Sequence, residues 1–516
     1  MKKVLYVPLD DRPCNYHYPL QIAAMCDDIR LVAPPFEWMG QLKVPTESEK
    51  IWAWLFEEAK DADYAILSVD TLVYGNIIHS RIHQRTMEQI DDYLSRFVRL
   101  KEENPNLKIH AFNLVARVAG YNGDFEDPTY WSTCGWTIWR IGVLRDKIAR
   151  GHATEEEEAE LPKLLEEVPE EYLNDFLARR EKDAYVNSRS IDLVQDGIFD
   201  ALVVPKDDTA EYGYAAIDQK KLSQKLYETR LYDKVMVYPG ADEVGSVLFA
   251  RVFNLCKNYT PRVYTRYSSL LGPTVVPLYE DRPIAESIKA QITSAGGVMV
   301  ETAADSDLLF ALHTPGKAMI ECGLQHQKDL SFTTHTNLHE FFRYLNYYHD
   351  TYQKPVALSD VAFSNGSDIE MMRHAQKAGI LEFIDAYSGW NTCENSNGMA
   401  LAHGIIASYY AKEGWPGETK ERSREFVAIK VFEDYLFQAQ IIAMAGAYVR
   451  ENHNGKNPYF VADIHDEVAN WMGNKLIELV AEEFDNKFQG HNVVKLDTFR
   501  MPWNRIHELH FDLKLD

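Results

Sequence analysis

The 516-residue chain is 46% hydrophobic and 26% charged, with 78 acidic against 54 basic side chains and a formal net charge of -24. Those proportions describe a folded globular protein with a large core and exclude a disordered chain. The acidic balance also disfavours nucleic acid or an anionic membrane as partner, because both reward Lys/Arg patches.

In chain order, the sequence opens on MKKVLYVPLDDRPCN, where the apolar run stops at Asp10. That run is too short for a signal peptide, and no stretch approaches the ~18 apolar residues of a membrane span. A cytoplasmic protein is expected. Cys14, Cys26, Cys134, Cys256, Cys322 and Cys393 lie far apart without zinc-type spacing, so reduced thiols are expected and no metal or other cofactor is called for.

Short apolar runs then alternate with longer helical patterns. The runs are VLYVPL (4–9), YAILSV (64–69), KIHAFNL (108–114), ALVVP (201–205), KVMVYP (234–239), RVYTRY (262–267), LLFALHT (308–314), PVALSD (355–360) and FIDAYSG (383–389). Continuous runs of this length are typical of parallel strands covered on both faces, and their alternation with helices predicts an α/β fold. The expected form is a (β/α)8 barrel-like parallel sheet over residues 1–397, with a doubly wound sheet as the alternative. The acidic stretch 153–183 reads as a solvated helical insertion, and 268–335 as a small inserted α/β segment. Residues 398–516 read as a helical region with terminal strands.

Nearly every run ends in polar residues. VLYVPL leads to Asp10, Asp11 and Arg12; YAILSV to Asp70 and then Arg81; KIHAFNL to Arg117. ALVVP leads to Asp207 and Asp208, and KVMVYP to Asp242 and Glu243. PVALSD leads to Asp360, Asn365 and Asp368, and FIDAYSG to Trp390, Asn391 and Asn395. One Asp after a strand is ordinarily a cap or turn former. Many such clusters at the same end of parallel strands predict one shared site, because α/β sites are built on that face.

PLDDRPCN, VDTLVYGN followed by SR, PKDDTAEYG, PGADEVG with LFAR, and SGWNTCENSNG resemble, in this order, the motifs of a bacterial family catalogued as domain of unknown function 4127. The resemblance runs from near residue 3 to the PWNR near residue 505, and EDPTYWSTCGW stands outside its pattern. It implies no activity, so function must come from the chemistry.

Adjacent Asp207 and Asp208 resemble the dyads of retaining hexosaminidases with (β/α)8 barrels. That likeness implies that one carboxylate orients the substrate's 2-acetamido group while the other protonates the leaving oxygen. Two neighbouring carboxylates split their pKa values, which suits this division of labour. Counting strands without RLVAPP (30–35) puts the pair after the fourth, where many barrel glycosidases carry their acid. Asp242-Glu243 is the rival pair.

The reading is therefore an exo-acting glycoside hydrolase for a β-linked N-acetylhexosamine, either N-acetylgalactosamine or N-acetylglucosamine. Asp207 and Asp208 are its catalytic residues. Asp10, Asp11, Arg12, Asp70, Arg81, Arg117, Asp242, Glu243, Asp360, Asn365, Trp390, Asn391 and Asn395 bind a small carbohydrate, with Trp390 stacking on the sugar ring. One alternative is a Mg²⁺- or Mn²⁺-dependent hydrolase or phosphoryl-transfer enzyme using Asp10, Asp11, Asp70, Asp207 and Asp242. A non-catalytic sugar-binding protein is the other.

Overall fold

The structure is a computed structural model that describes residues 1–516. All nine apolar runs form strands, and so does the start of RLVAPP. A first sheet contains β1 (Lys2–Val7), β2 (Ile29–Val32), β3 (Tyr64–Ser68), β4 (Lys108–Phe112), β5 (Ala201–Lys206) and β6 (Val235–Pro239), in the order β2-β1-β3-β4-β5-β6. Every neighbouring pair is parallel.

A second parallel sheet contains β7 (Arg262–Tyr267), β8 (Val298–Met299), β9 (Leu308–His313), β11 (Val356–Asp360) and β13 (Ala386–Ser388), in the order β13-β11-β9-β7-β8. Between them in sequence, β10 (Ile320–Glu321) and β12 (Phe363–Ser364) form a separate two-stranded pair. The chain finishes with an antiparallel ribbon of β14 (Lys487–Phe488), β15 (His491–Arg500) and β16 (His510–Leu515).

No barrel closes. β1 pairs with β2 on one edge and β3 on the other, so the edge that a closing strand would need is taken. Both sheets instead follow the 2-1-3-4-5 progression of doubly wound folds, the alternative architecture. Leaving RLVAPP out of the strand count therefore displaced Asp207 and Asp208, which follow the fifth strand in chain order.

Residues 268–335 are not an insertion either. Helix Ile284–Ser294 is the crossover that carries the chain from β7 to β8, and β9 lies at the centre of the second sheet. The acidic stretch forms helices Glu155–Glu167 and Glu170–Gln195. The first opens on a capping box of Thr154 and Glu157, with four glutamates in its first turn. The second buries Phe176, Arg179, Arg180 and Val186 against the first sheet's loops, so it is packed rather than wholly solvated.

One apolar core joins these parts. It runs from Tyr6 and Phe112 through Phe253 of helix Val244–Lys257 to Leu309 and Leu358, and on to Phe432 and Met472 of the C-terminal helices. The two sheets therefore meet across a shared interior, with helix Val244–Lys257 packed between them against helix Cys393–Glu413. No helix is long and apolar enough to cross a membrane.

Close packing at the joint is readable at Gly245. A Cβ there would overlap the hydroxyl of Tyr6, which donates to the Asn15 carbonyl and so fixes the loop after β1. Gly245→Ala is expected to lower unfolding free energy by about 1–3 kcal/mol, the usual overpacking penalty. Urea denaturation of the purified protein checks this; an unchanged midpoint would show that Tyr6 moves aside freely.

Candidate functional site

Successive residues leaving the strands of the first sheet converge on one cleft. It is lined by Arg12 after β1, Arg81 after β3, Arg117 after β4, Asp207 and Asp208 after β5, and Gly240, Ala241 and Asp242 after β6. The second sheet adds Tyr279 after β7, and Asn391, Thr392 and Asn395 after β13. The segment between β15 and β16 closes the cleft with Trp503, Arg505 and His507. Carboxyl ends of parallel strands are where doubly wound folds place ligands. The cleft, partly open to solvent, holds a cavity of about 80 Å³.

Guanidinium–carboxylate pairs hold these loops together. Arg12 donates to Asp10 at 2.7 Å and to Asp242 at 3.1 Å, with a second Asp242 contact at 2.5 Å. Asn15 donates to the same two acids at 3.0 and 2.9 Å. Glu126 is a second hub, accepting from Arg81 at 2.8 Å, pairing with Arg117 at 3.0 Å and pairing with Arg505. Burial opposes its charge, but Arg117, Arg505 and Arg81 hold Glu126 well below the ordinary carboxylate range.

Asp207 and Asp208 part company at the strand end. Asp208 has a positive φ of 32°, a conformation that short polar side chains tolerate best, and this turn sends the two carboxylates to different partners. Asp207 accepts from Arg81 at 2.6 Å and Asp208 from Arg117 at 3.0 Å, each through Oδ2. The Asp208 side chain keeps 33% of its surface exposed against 9% for Asp207. Burial, and then the neighbouring Asp207 charge, push the Asp208 carboxyl up to about 6.

Trp503 adopts a φ of 57°, unusual for a bulky residue. Its Nε1 donates to Asp11 at 2.7 Å, and the guanidinium carbons of Arg12 and Arg505 lie 4.6 and 4.7 Å from its ring centre. Strain of this kind persists only where the surroundings over-determine it. Beside it, burial pushes Glu508 up to about 8 and His507 down to about 3. Glu508 thus holds its proton near neutrality, while His507 stays neutral.

The sequence-derived residues divide into three groups. Arg12, Arg81, Arg117, Asp207, Asp208, Asp242, Asn391 and Asn395 line the cavity. Asn391 donates to Asp242 at 2.7 Å, while Asn395 accepts from the Ala241 and Asp242 amides at 3.2 and 3.0 Å.

Asp10, Asp11 and Glu243 lie just behind the cavity: Glu243 is fully buried and accepts from the Ala241 amide at 3.0 Å. It is therefore a loop support and not a sugar ligand.

Asp70, Asp360, Asn365 and Trp390 stand apart from the cavity. Asp70 accepts from Asn113 and the Leu114 amide, Asp360 from the Asp368 amide, and Asn365 donates to Glu321. Trp390 is a core residue, 4% exposed; Trp503 is the tryptophan that faces the cleft. Glu126, Lys206, Tyr279, Arg505 and His507 were missed. Glu126 lies in DFEDP, Arg505 and His507 in MPWNRIHELH, which reads as part of a terminal strand, and Tyr279 in PLYEDRP; Lys206 stands inside PKDDTAEYG itself, next to the pair that was singled out.

A hard-cation site in the cleft is not supported, because Asp10, Asp207 and Asp242 spend oxygens on guanidinium and amide donors. The cluster whose ligand atoms come close enough to share an ion is Glu280, Cys393 and Glu394, behind the cleft floor.

The family model described as "Protein of unknown function (DUF4127)" matches residues 4–512. The chain belongs to the DUF4127 family. No curated protein matches it. Among solved structures, the chain is similar to "S. aureus MnaA-UDP co-structure" at 11% identity, with 80% of this chain and 94% of that chain covered and a TM-score of 0.19. A TM-score that low carries no argument about this DUF4127 protein.

The hub at Arg12 generates a stability prediction. Arg12→Met leaves Asp10 and Asp242 buried without their cation and is expected to cost about 3–5 kcal/mol. Chemical unfolding measures it, and Asp242→Asn in the same chain is expected to recover part of the loss. A loss below 1 kcal/mol, taken as about the value of an exposed pair, would show that the cleft is wetter than its burial implies.

Proposed function

We propose that this protein is a glycoside hydrolase that removes a terminal β-linked N-acetylhexosamine. The observation that carries the reading is the unequal pair at the end of β5. Both carboxylates are ion-paired, Asp207 with Arg81 and Asp208 with Arg117, but Asp208 is raised to about 6 and stays partly exposed to the cleft, whereas the Asp207 side chain is nearly covered. An accessible carboxyl with a raised pKa beside a second carboxylate is the arrangement a general acid needs.

In the proposed step, Asp208 gives its proton to the glycosidic oxygen as the bond to C1 breaks. The substrate's acetamido oxygen forms the new bond to C1, and Asp207 orients that group and takes up charge from its N–H. Water, deprotonated by the Asp208 carboxylate, then opens the cyclic intermediate and restores the acid. Substrate-assisted catalysis of this type is an exception to the two-carboxylate nucleophile scheme.

A neutral, polyhydroxylated ligand suits the lining. Arg12, Arg81, Arg117 and Arg505 are each already paired with carboxylates, so none is free to recognise a phosphate. They and Asn391 present fixed donors beside fixed acceptors, the pattern hydroxyl groups need. The cavity of about 80 Å³ is smaller than the ≈ 300–1,000 Å³ of ordinary ligand pockets, so binding requires the segment bearing Trp503 and Arg505 to move outward.

Aryl glycosides of N-acetylhexosamines test the roles. Asp208→Asn is expected to lose ~10²–10⁴-fold in rate on substrates with poor leaving groups and much less on dinitrophenyl glycosides, which need no acid. Asp207→Asn is expected to impair all of them alike, and a thiazoline mimic of the intermediate is expected to inhibit the wild type. Wild-type kcat/KM should fall as pH rises through about 6, where Asp208 loses its proton, and this limb should vanish in Asp208→Asn. Equal losses for both variants on every leaving group, with no thiazoline inhibition, would overturn the assignment.

A further inference from the structure

Behind the cleft floor lies a group of acids for which the glycosidase reading has no use. Glu280 follows Tyr279 in the segment after β7, while Cys393 and Glu394 open helix Cys393–Glu413. One carboxylate oxygen from each glutamate and the Cys393 Sγ all lie within 4.8 Å of one another. The three residues are 4%, 1% and 0% exposed.

Such a cluster is unbalanced as it stands. By geometry neither oxygen of Glu394 nor Glu280 Oε2 makes a well-formed hydrogen bond; the two carboxyls face each other with the Ser287 hydroxyl beside Glu394, and Glu280 Oε1 accepts from the Glu394 amide at 2.8 Å. Nearby cations are committed elsewhere, since Lys206 and Arg282 both pair with Asp281. Two buried carboxyls that face each other, each pushed above its ordinary range by burial, either share a proton or hold a cation between them.

The surroundings point to a missing ligand as well. The Ser287 hydroxyl, fully buried on helix Ile284–Ser294, faces the Glu394 carboxyl and has no well-formed hydrogen bond. Gln291, on the same helix, spends its amide nitrogen on the Glu394 carbonyl at 2.7 Å and leaves its own buried Oε1 unpartnered. Two facing carboxyls, a thiol and a hydroxyl gathered in a dry interior make a ligand set for a cation.

We propose that Glu280, Cys393 and Glu394 bind a divalent transition-metal ion of the zinc type. Sulfur argues against Mg²⁺ and Ca²⁺, which require oxygen ligands, whereas Zn²⁺ accepts thiolate and carboxylate together. A water or the Ser287 hydroxyl is available for a fourth position. Binding displaces the protons of the ligand groups to solvent, with no redox change.

The ion's role is positioning. Tyr279 adjoins one ligand, and Asn391, Thr392 and Asn395 adjoin the others in sequence; all four line the cleft. An ion here clamps the segment after β7 to the start of helix Cys393–Glu413, and so sets the second sheet's contribution to the site. The proposal does not rest on the glycosidase reading.

Its test is metal content, which leaves the two distinguishable. Full-length protein purified without chelator or affinity metal is analysed by inductively coupled plasma mass spectrometry, and again after exchange into Co²⁺. The expected result is stoichiometric zinc, a thiolate-to-cobalt charge-transfer band in the Co²⁺ form, and a higher Tm with Zn²⁺ than after chelation. Cys393→Ser should abolish the band, and Glu280→Gln, a near-isosteric change, should lower metal content severalfold.

Should Cys393→Ser fail to fold, X-ray absorption of the wild-type zinc protein decides, with one sulfur among oxygen neighbours expected. Wild type that takes up neither metal, or variants that keep full occupancy, would overturn the proposal. A metal-free protein whose Glu394→Gln variant melts higher would overturn it too, since the two carboxyls then share a proton.

Discussion

The pairing of Arg12 with Asp10 and Asp242 is the contact on which the cleft depends. It ties the loop after β1 to the loop after β6, and so spans the first sheet from its switch point to its far edge. Asn15 repeats the link with both acids, and Tyr6 anchors the same loop through the Asn15 carbonyl. Glu126 does for Arg81, Arg117 and Arg505 what Asp10 and Asp242 do for Arg12. With these pairs made, eight strand-end and ribbon segments can bring ionisable groups together out of water. Without them, each acid would repel the next.

The apolar runs were legible because their physics is local. A buried strand must be continuously apolar, and each of the nine quoted runs satisfies that rule. Whether such strands close into a barrel or lie in two open sheets is decided by which edges pair, and periodicity is silent about edges. RLVAPP stands outside the strand count, yet Ile29–Val32 takes the edge of β1 that closure would have used. In the same way, β8 is only two residues long, too short to show that 268–335 continues a sheet.

The site was legible wherever its residues follow strands directly, as Arg12, Asp207, Asp208 and Asp242 do. Glu126 sits deep in the irregular connection between β4 and helix Trp131–Arg150, and Trp503 and Arg505 come from the connection within the antiparallel ribbon, away from the carboxyl ends of the parallel strands. Nothing in their neighbours' polarity marks them. Trp390 illustrates the converse error: SGW and MPW look alike as sequence, but the first tryptophan follows β13 into the core, where Lys430 approaches its ring at 5.7 Å. The second turns through a left-handed conformation into the cleft.

That ribbon has a consequence for how the protein is made. Trp503, Arg505 and His507 are the last-synthesised of the groups that meet in the cleft, while Arg12 is the first. Until that segment has docked, the hub at Glu126 is short of one arginine, the Trp503 face is absent, and the shared core lacks Phe511, Leu513 and Leu515 of β16. During that interval the carboxylates are open to water and readily solvated. The cleft and the core beneath it are therefore completed by the same step, docking of the ribbon.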